Sequence, residues 1–517
     1  MIRTKAAALA LSLLFPLAGA DMPPATPGMQ YVGLTPGGLR IVANSVPGPL
    51  GAAPTVLLIG GLNGNDASAA TVTDEARRFS RTTRSKRRYR LLSIPLANPA
   101  ASKLIFPPAG TAYRDNAESN ELWRWIGIQA PDFVIIVANE DFGLAEALSR
   151  NVVAGVGSIP AVRVAPALRT AAERGILRLV PADVRASGAH RELLRRTERS
   201  PRQVADELAQ YYGHTFPDAI YINAIALIGQ LRLGNVAEVR KLVEPYVDGT
   251  KDSLARPTSL HLAGHLIFAE LAVRTADPRY LQLVRRVAEL GFTPNGEMRE
   301  SMPFHDEMSD SVFMAAPIVA KAGALTGENK YFDMAARHVA FMQKLVLRPD
   351  GLYRHSPLTD AAWGRGNAFP ALGLALTLEA FPKTHPEYRH LLQAFQRHMA
   401  RLAEFQLPES EGMWHEVIDE PASYAEFSAT AMIATAMAMG VRNGWLDSRT
   451  YQPLVDNAWR GVVRRIGAEG VLMDVCESTN KQPSLDAYLH RAAILGNDPR
   501  GGAMALLFAT EMAGLGK

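Results

Sequence analysis

A chain of 517 residues is too long for one ordinary compact core, so two domains are expected. Hydrophobic residues make up 48% and charged residues 21%, the balance of a soluble globular protein, and the formal net charge is only +4. The one basic run, Arg84–Arg90, is interleaved with apolar strand residues and reads as a solvated turn, so nucleic-acid binding has little support. Cys476 is the only cysteine, which excludes an intrachain disulfide.

In chain order, MIRTK is a basic n-region, Ala6–Leu17 an apolar h-region and Ala18-Gly19-Ala20 a small-residue cleavage site. Residues 1–20 therefore read as a signal peptide, predicting a periplasmic or secreted protein. The apolar run is too short for a membrane anchor. Residues 21–50 are rich in Pro and Gly without a period and predict an irregular lead-in. From Pro54 the pattern becomes α/β. Thr55–Ile59, Tyr89–Pro95 and Asp132–Val137 are buried-strand runs, and Glu118–Ile128 is helical. That alternation predicts a doubly wound sheet.

The segments GGLNGND, SIPLANPAAS, FPP and AESNELWRWIGIQAPDFVIIVAN resemble a zinc carboxypeptidase domain over residues 51–170. In that family the first loop carries His-x-x-Glu as two zinc ligands, and a third His follows the last strand. Here Asn63 and Asp66 stand in the loop, and Ala138-Asn139 follow the strand. Lys103-Leu104-Ile105 replaces the family's Asn-Arg before Phe-Pro. Asparagine is a poor zinc ligand. The resemblance therefore implies a degenerate α/β domain without a catalytic metal, in a structural or glycan-contacting role. No G-x-S-x-G elbow supports a hydrolase reading of the GGLNG loop. Residues 171–200, rich in Arg and Ala, read as connecting helix and linker.

From residue 201 to 517 the signal is almost wholly helical. Connectors alternate between tight (Thr326–Asn329) and long (347–364, 406–423, 467–498). Such alternation suits an all-α toroid with the working loops on one rim.

The densest junction of acid and apolar residues is HDEMSDSVFMAAP, from His305 to Pro317. Asp310, Phe313, Met314 and Pro317 would share one helix face. Asp310 is either a helix cap or a paired, functional acid. Downstream, 351–370 and 413–432 cluster His355, Trp363, Arg365, Asn367, Trp414, His415 and Glu426 at element ends, where sites are usually assembled. Trp363 offers a stacking face for a sugar and Arg365 a bidentate donor for a carboxylate. Gly364 and Gly366 would let backbone approach a ligand. The other reading of these residues is an ordinary helix N-terminus.

DSVFMAAPIVAKAGALTG, GLYRHSPLTDAAWGRGNAF, SYAEFSATAMIATAMAMG and DVCESTN…AYLHRAAILGNDPRGGAMALLFATEM resemble glycoside hydrolase families 88 and 105. Those are the unsaturated glucuronyl and rhamnogalacturonyl hydrolases. The resemblance implies an (α/α)6 barrel with no metal or cofactor. It also implies hydration of the C-4/C-5 double bond of a terminal unsaturated uronic acid on an acidic oligosaccharide. The family's proton-donating Asp falls on Asp310, its His on His355, and its aromatic-Arg-Gly-Asn motif on Trp363, Arg365, Gly366 and Asn367. Ala368-Phe369 stands where many members have Gly-Trp. Many members carry a second acid on an earlier inner helix, whereas 258–268 here has His261 and His265 but no carboxylate.

Three functions stay open. The first is a hydratase-type glycosidase with Asp310 as acid, Glu426 as its catalytic partner, and His305, His355, Trp363, Arg365, Asn367, Trp414 and His415 holding substrate. In it the uronate neutralises Arg365 and leaves Asp310 its proton. The second is an ordinary β-glucuronidase using Asp310 with Glu426 or Asp419. The third is a catalytically inactive glycan-binding protein.

Overall fold

The computed structural model describes residues 28–166, 175–408 and 411–516. The proposed signal peptide lies outside them. The first domain is a six-stranded mixed sheet of order β1-β2-β4-β3-β5-β6. Its strands are β1 (Met29–Leu34), β2 (Arg40–Val46), β3 (Thr55–Ile59), β4 (Arg90–Ile94), β5 (Phe133–Val137) and β6 (Ala161–Val164). β4, β3, β5 and β6 run parallel, while β2 is antiparallel to both β1 and β4. Alternation sorts the central strands onto two faces. Leu57, Ile59, Val134 and Ile136 pack with α2 (Ala117–Gln129) and α3 (Leu144–Arg150), whereas Val56, Leu58, Ile135 and Val137 pack with α1 (Ala67–Arg81).

Two expectations are corrected here. Residues 21–50 are not an irregular lead-in throughout, because β1 and β2 form there and extend the sheet. Nor is 171–200 only a linker. Helix α4 (Gly188–Glu198) puts Ala189 and Leu193 into the sheet domain's core, and its His190 Nδ1 sits 2.7 Å from Asp132. Arg84 and Arg87 of the basic run are spent on backbone carbonyls of Gly48 and Pro47. Of the positions matching carboxypeptidase zinc ligands, Asp66 caps α1 through Ser68 N, and Asn63 donates to Glu140 O.

The second domain alternates outer and inner helices. They run as α5 (Pro201–Leu208), α6 (Tyr221–Arg232), α7 (Val236–Val247), α8 (Ser259–Gly264) continued by α9 (Leu266–Thr275), α10 (Pro278–Ala288), α11 (Ser311–Thr326), α12 (Asn329–Val346), α13 (Gly364–Ala380), α14 (Tyr388–Ala403), β7 (Trp414–His415), β8 (Ala425–Glu426), α15 (Phe427–Arg442), α16 (Ser448–Arg464), β9 (Leu472–Cys476), α17 (Leu485–Leu489), β10 (Ala493–Gly496) and α18 (Pro499–Met512). The inner helices touch in a closed ring, α6–α8–α11–α13–α15–α18–α6. This is the (α/α)6 barrel. Sequence dictates the layers: α11, α13 and α15 are apolar nearly all round and buried, while α10, α14 and α16 are apolar on one face only. Small residues let the inner helices close up; a Cβ on Gly373 of α13 would stand 2.7 Å from the backbone of Phe313 in α11. Every inner helix starts on the same rim, where the long connectors lie.

The sheet domain docks on that rim. Ala112 bridges to Ala493, and Tyr113 stacks on Tyr424 with ring centroids 4.1 Å apart. The buried Arg124 of α2 pairs with Asp474 of β9 at 2.6 Å.

Candidate active site

Asp310 occupies the N-cap position of α11, but its carboxyl makes no capping bond. Its Oδ1 lies 3.3 Å from Nε2 of His355, and the alignment leaves each atom without a hydrogen-bond partner. The Asp310 side chain is 15% exposed and that of His355 wholly buried. An unpartnered buried carboxyl oxygen is costly, which favours a working acid over a cap. The backbone ties the pair together, since Ser309 N donates to His355 O at 2.9 Å.

His355 is held in turn by Tyr488, whose hydroxyl lies 2.8 Å from Nδ1. Tyr488 Oη also accepts from Gln482 N at 3.1 Å. Burial pushes the phenol up to about 12, so it keeps its proton, and in one of the two imidazole tautomers it donates that proton to Nδ1. Nε2 then carries the imidazole hydrogen and faces Asp310. Replacing Tyr488 by Phe removes that orientation, worth about one hydrogen bond, and kcat is expected to fall about tenfold with KM little changed. A change confined to KM in steady-state kinetics would contradict this role.

The loop entering α11 is strained: Phe304, Asp306 and Glu307 have φ of 62, 47 and 55°. Each such residue costs about 1–3 kcal/mol and persists where its surroundings enforce it, often beside a working site. His305 anchors this loop by packing on Phe341 and accepting from Glu307 N.

The other predicted residues take different roles. Trp363 is 1% exposed. Its ring packs against the His355 ring at 4.4 Å and the Arg365 guanidinium at 4.6 Å, and its indole donates to Glu416 Oε1. No face is left for sugar stacking. Arg365 is also buried, donating to Ser428 Oγ and to the carbonyls of Cys476 and Glu477, with Glu426 at 4.0 Å. Burial alone would disfavour its charge, but the acidic neighbours, Glu426 among them, hold the cation more firmly than usual. The uronate-clamp expectation is therefore corrected: this arginine fastens β9 to the starts of α13 and α15. Asn367 is satisfied by Tyr353 N and O and Trp363 O. Trp414 is core, donating to Leu402 O. Gly364 approaches the backbone, not a ligand; its N donates to Glu416 O at 2.6 Å.

Glu426 is corrected too. It is fully buried and caps α15, accepting from Ser428 N and Oγ, Ala429 N and Cys476 N. A carboxylate so fully hydrogen-bonded has no free oxygen for a substrate. Asp419 is paired with Arg348 at 2.8 Å. His415 donates from Nδ1 to Ser423 O and lines a cleft beneath the sheet domain, not the Asp310 site. His261 Nε2 meets Asp218 Oδ1 at 3.1 Å, so a carboxylate from the loop before α6 reaches the segment that lacks its own.

Sequence reasoning missed Tyr488 and Glu416, although both lie in quoted motifs. Glu416 is fully buried beside Glu426 and pushed up to about 8, first by burial and then by Glu426. Its folded value exceeds the ordinary 4.5, so between pH 4.5 and about 8 the folded state holds a proton that the unfolded state has lost. Stability should therefore fall as pH rises through that window, by at most about 1.4 kcal/mol per unit. Glu416→Gln should flatten the slope, as urea unfolding at a series of pH values would show.

The family model for Glycosyl Hydrolase Family 88 matches residues 217–515. The chain belongs to glycosyl hydrolase family 88. It is 23% identical over 272 residues to the unsaturated rhamnogalacturonyl hydrolase YesR of Bacillus subtilis, covering 48% of this chain and 76% of that protein. It is 25% identical over 174 residues to an unsaturated 3S-rhamnoglycuronyl hydrolase of an Alteromonas species, covering 31% and 42%. A family 105 glycoside hydrolase from C. acetobutylicum superposes with a TM-score of 0.51 at 21% identity, over 61% of this chain and 99% of that one. That superposition bears on the fold alone. This family 88 enzyme is a glycoside hydrolase whose matched region is the barrel; the family model begins past the sheet, and the carboxypeptidase likeness gains no support from it.

Proposed function

We propose that this enzyme removes a terminal 4,5-unsaturated uronic acid from acidic oligosaccharides by acid-catalysed hydration. The observation that carries the reading is the state of the acids. Asp310 keeps an unpartnered oxygen facing His355, while Glu426 is consumed as a cap and Asp419 by Arg348. An ordinary β-glucuronidase needs two carboxyl groups flanking the bond, and both proposed partners are committed elsewhere. The names of the relatives, hydrolases of unsaturated uronyl sugars, point the same way.

In this reading Asp310 gives its proton to C-4 of the double bond and water adds at C-5. The carboxylate left behind takes the proton shed by that water, so the acid is restored. His355 Nε2–H steadies the carboxylate in between. The hemiketal formed at C-5 opens by breaking its ring C–O bond, and collapse at C-1 releases the next sugar. Export through residues 1–20 and an auxiliary, metal-free role for the sheet domain belong to the same proposal.

The test is a panel of matched saturated and unsaturated uronyl oligosaccharides. Hydration predicts loss of the conjugated double bond's ultraviolet absorbance together with sugar release. Release from saturated substrates alone would overturn the reading in favour of a glucuronidase; binding without release from either would favour an inactive glycan-binding protein.

A further inference from the structure

Between the sheet domain and the barrel lies a cleft of about 210 Å³. It is below the roughly 300–1,000 Å³ of pockets that hold drug-sized ligands, so it suits a single ring. β1 and α2 form one wall, and the segment around β7 and β8 forms the other. Tyr31, Trp125 and Tyr424 add aromatic rings to a lining that also carries aliphatic and charged side chains.

Three lining residues carry a buried polar atom without a hydrogen-bond partner: Trp125 Nε1, Gln30 Oε1 and Tyr424 Oη. Trp125 is only 8% exposed. A buried indole N–H without an acceptor is unusual and calls for a ligand or water to complete it. The charged lining groups are balanced. Arg124 pairs with Asp474, and Arg465 bridges Asp474 and Glu411. Burial holds Glu121 in its neutral acid form well above the usual carboxylate range and lowers the affinity of His415 for a proton. No cation is left over to receive a carboxylate, in contrast to what a uronate would need.

We infer that this cleft is a second sugar site, holding one neutral pyranose residue of an oligosaccharide at the junction of the two domains. The aromatic rings match the C–H face of a pyranose, and the indole donor and amide acceptor match its hydroxyls. The site is separate from Asp310: His415 faces the cleft, while the next residue, Glu416, bonds to Trp363 on the active-site side. Neither domain forms it alone, which gives the sheet domain a task in glycan recognition. The inference rests on the proposed function for one point only, that the natural ligand is a glycan.

The test is saturation-transfer NMR on the full chain with methyl glycosides of neutral hexoses and deoxyhexoses, with methyl glucuronide as the charged comparison. A neutral glycoside should bind in the millimolar range to both wild type and Asp310→Asn. Gln30→Ala, at a half-buried strand position, and Trp125→Phe, which keeps the ring, should each weaken it by up to about tenfold. Gln30→Ala keeps the test alive if Trp125→Phe fails to fold. No transfer from any neutral glycoside, preference for the glucuronide, or binding untouched by both Gln30→Ala and Trp125→Phe would overturn the inference. Because binding is read without turnover, a lack of hydrolysis would count against the proposed function and leave this result standing.

Discussion

Asp310→Asn should lower kcat by about 10²–10⁴-fold, the usual worth of a positioned general acid, while leaving oligosaccharide binding nearly intact. The substitution keeps the shape of the side chain and removes only its ability to give and take a proton. It should also leave the fold untouched. Asp310 makes no capping bond to α11, and its one close polar neighbour, His355 Nε2 at 3.3 Å from Oδ1, can face the amide oxygen in the same way. Turnover on unsaturated uronyl substrates, paired with calorimetric titration of the same ligand, separates the two effects. Near-wild-type turnover would move the acid elsewhere, first to Asp306 on the strained loop or to Asp218 beside His261.

Arg365→Ala should behave in the opposite way, as a folding defect. The side chain donates to Ser428 Oγ at 3.1 Å, Cys476 O at 3.0 Å and Glu477 O at 2.8 Å, all in a buried setting. Removing it leaves those acceptors short of donors and strips the fully buried Glu426 of its nearest cation, 4.0 Å away. Breaking a buried pair in this manner costs about 3–5 kcal/mol. Lysine, a point charge without the planar fork, should recover only part of the loss. Urea unfolding of the three proteins measures this directly. A variant of wild-type stability with only a raised KM would restore the reading of Arg365 as a substrate clamp.

The contrast between these two residues shows what sequence could and could not reveal. The strands at 55–59 and 133–137 were legible because continuous apolar runs of that length belong inside a parallel sheet. β1 and β2 were not, because MQYVGL and RIVANSV are partly polar segments set among Pro and Gly. α4 hid behind its arginines: Ala189 and Leu193 carry its packing, while Arg196 reaches back to the carbonyls of Gly155 and Arg464. The ring of helices was legible in its alternating connectors; Asp310 and His355, singled out by their motifs, lie side by side. Trp363, Arg365, Asn367 and Glu426 were read as substrate-holding or catalytic groups, whereas the structure buries all four and bonds them to other parts of the chain. Side chains suited to gripping a sugar acid also suit the fastening of helix starts to crossing loops. Only their complete burial, a tertiary property, tells the two uses apart.

Asp474 has one further implication, for ancestry. It belongs to the barrel, yet Arg124 and Tyr113, which bond to its Oδ1, come from the sheet domain. Recombination near residue 200 that joined this barrel to a foreign leader would strand a buried carboxylate with Arg465 alone, 3.4 Å from Oδ2. Such chimaeras would be purged for instability before any difference in catalysis was exposed to selection. Exchange of either half alone is therefore expected to cost stability unless residue 474 changes with it.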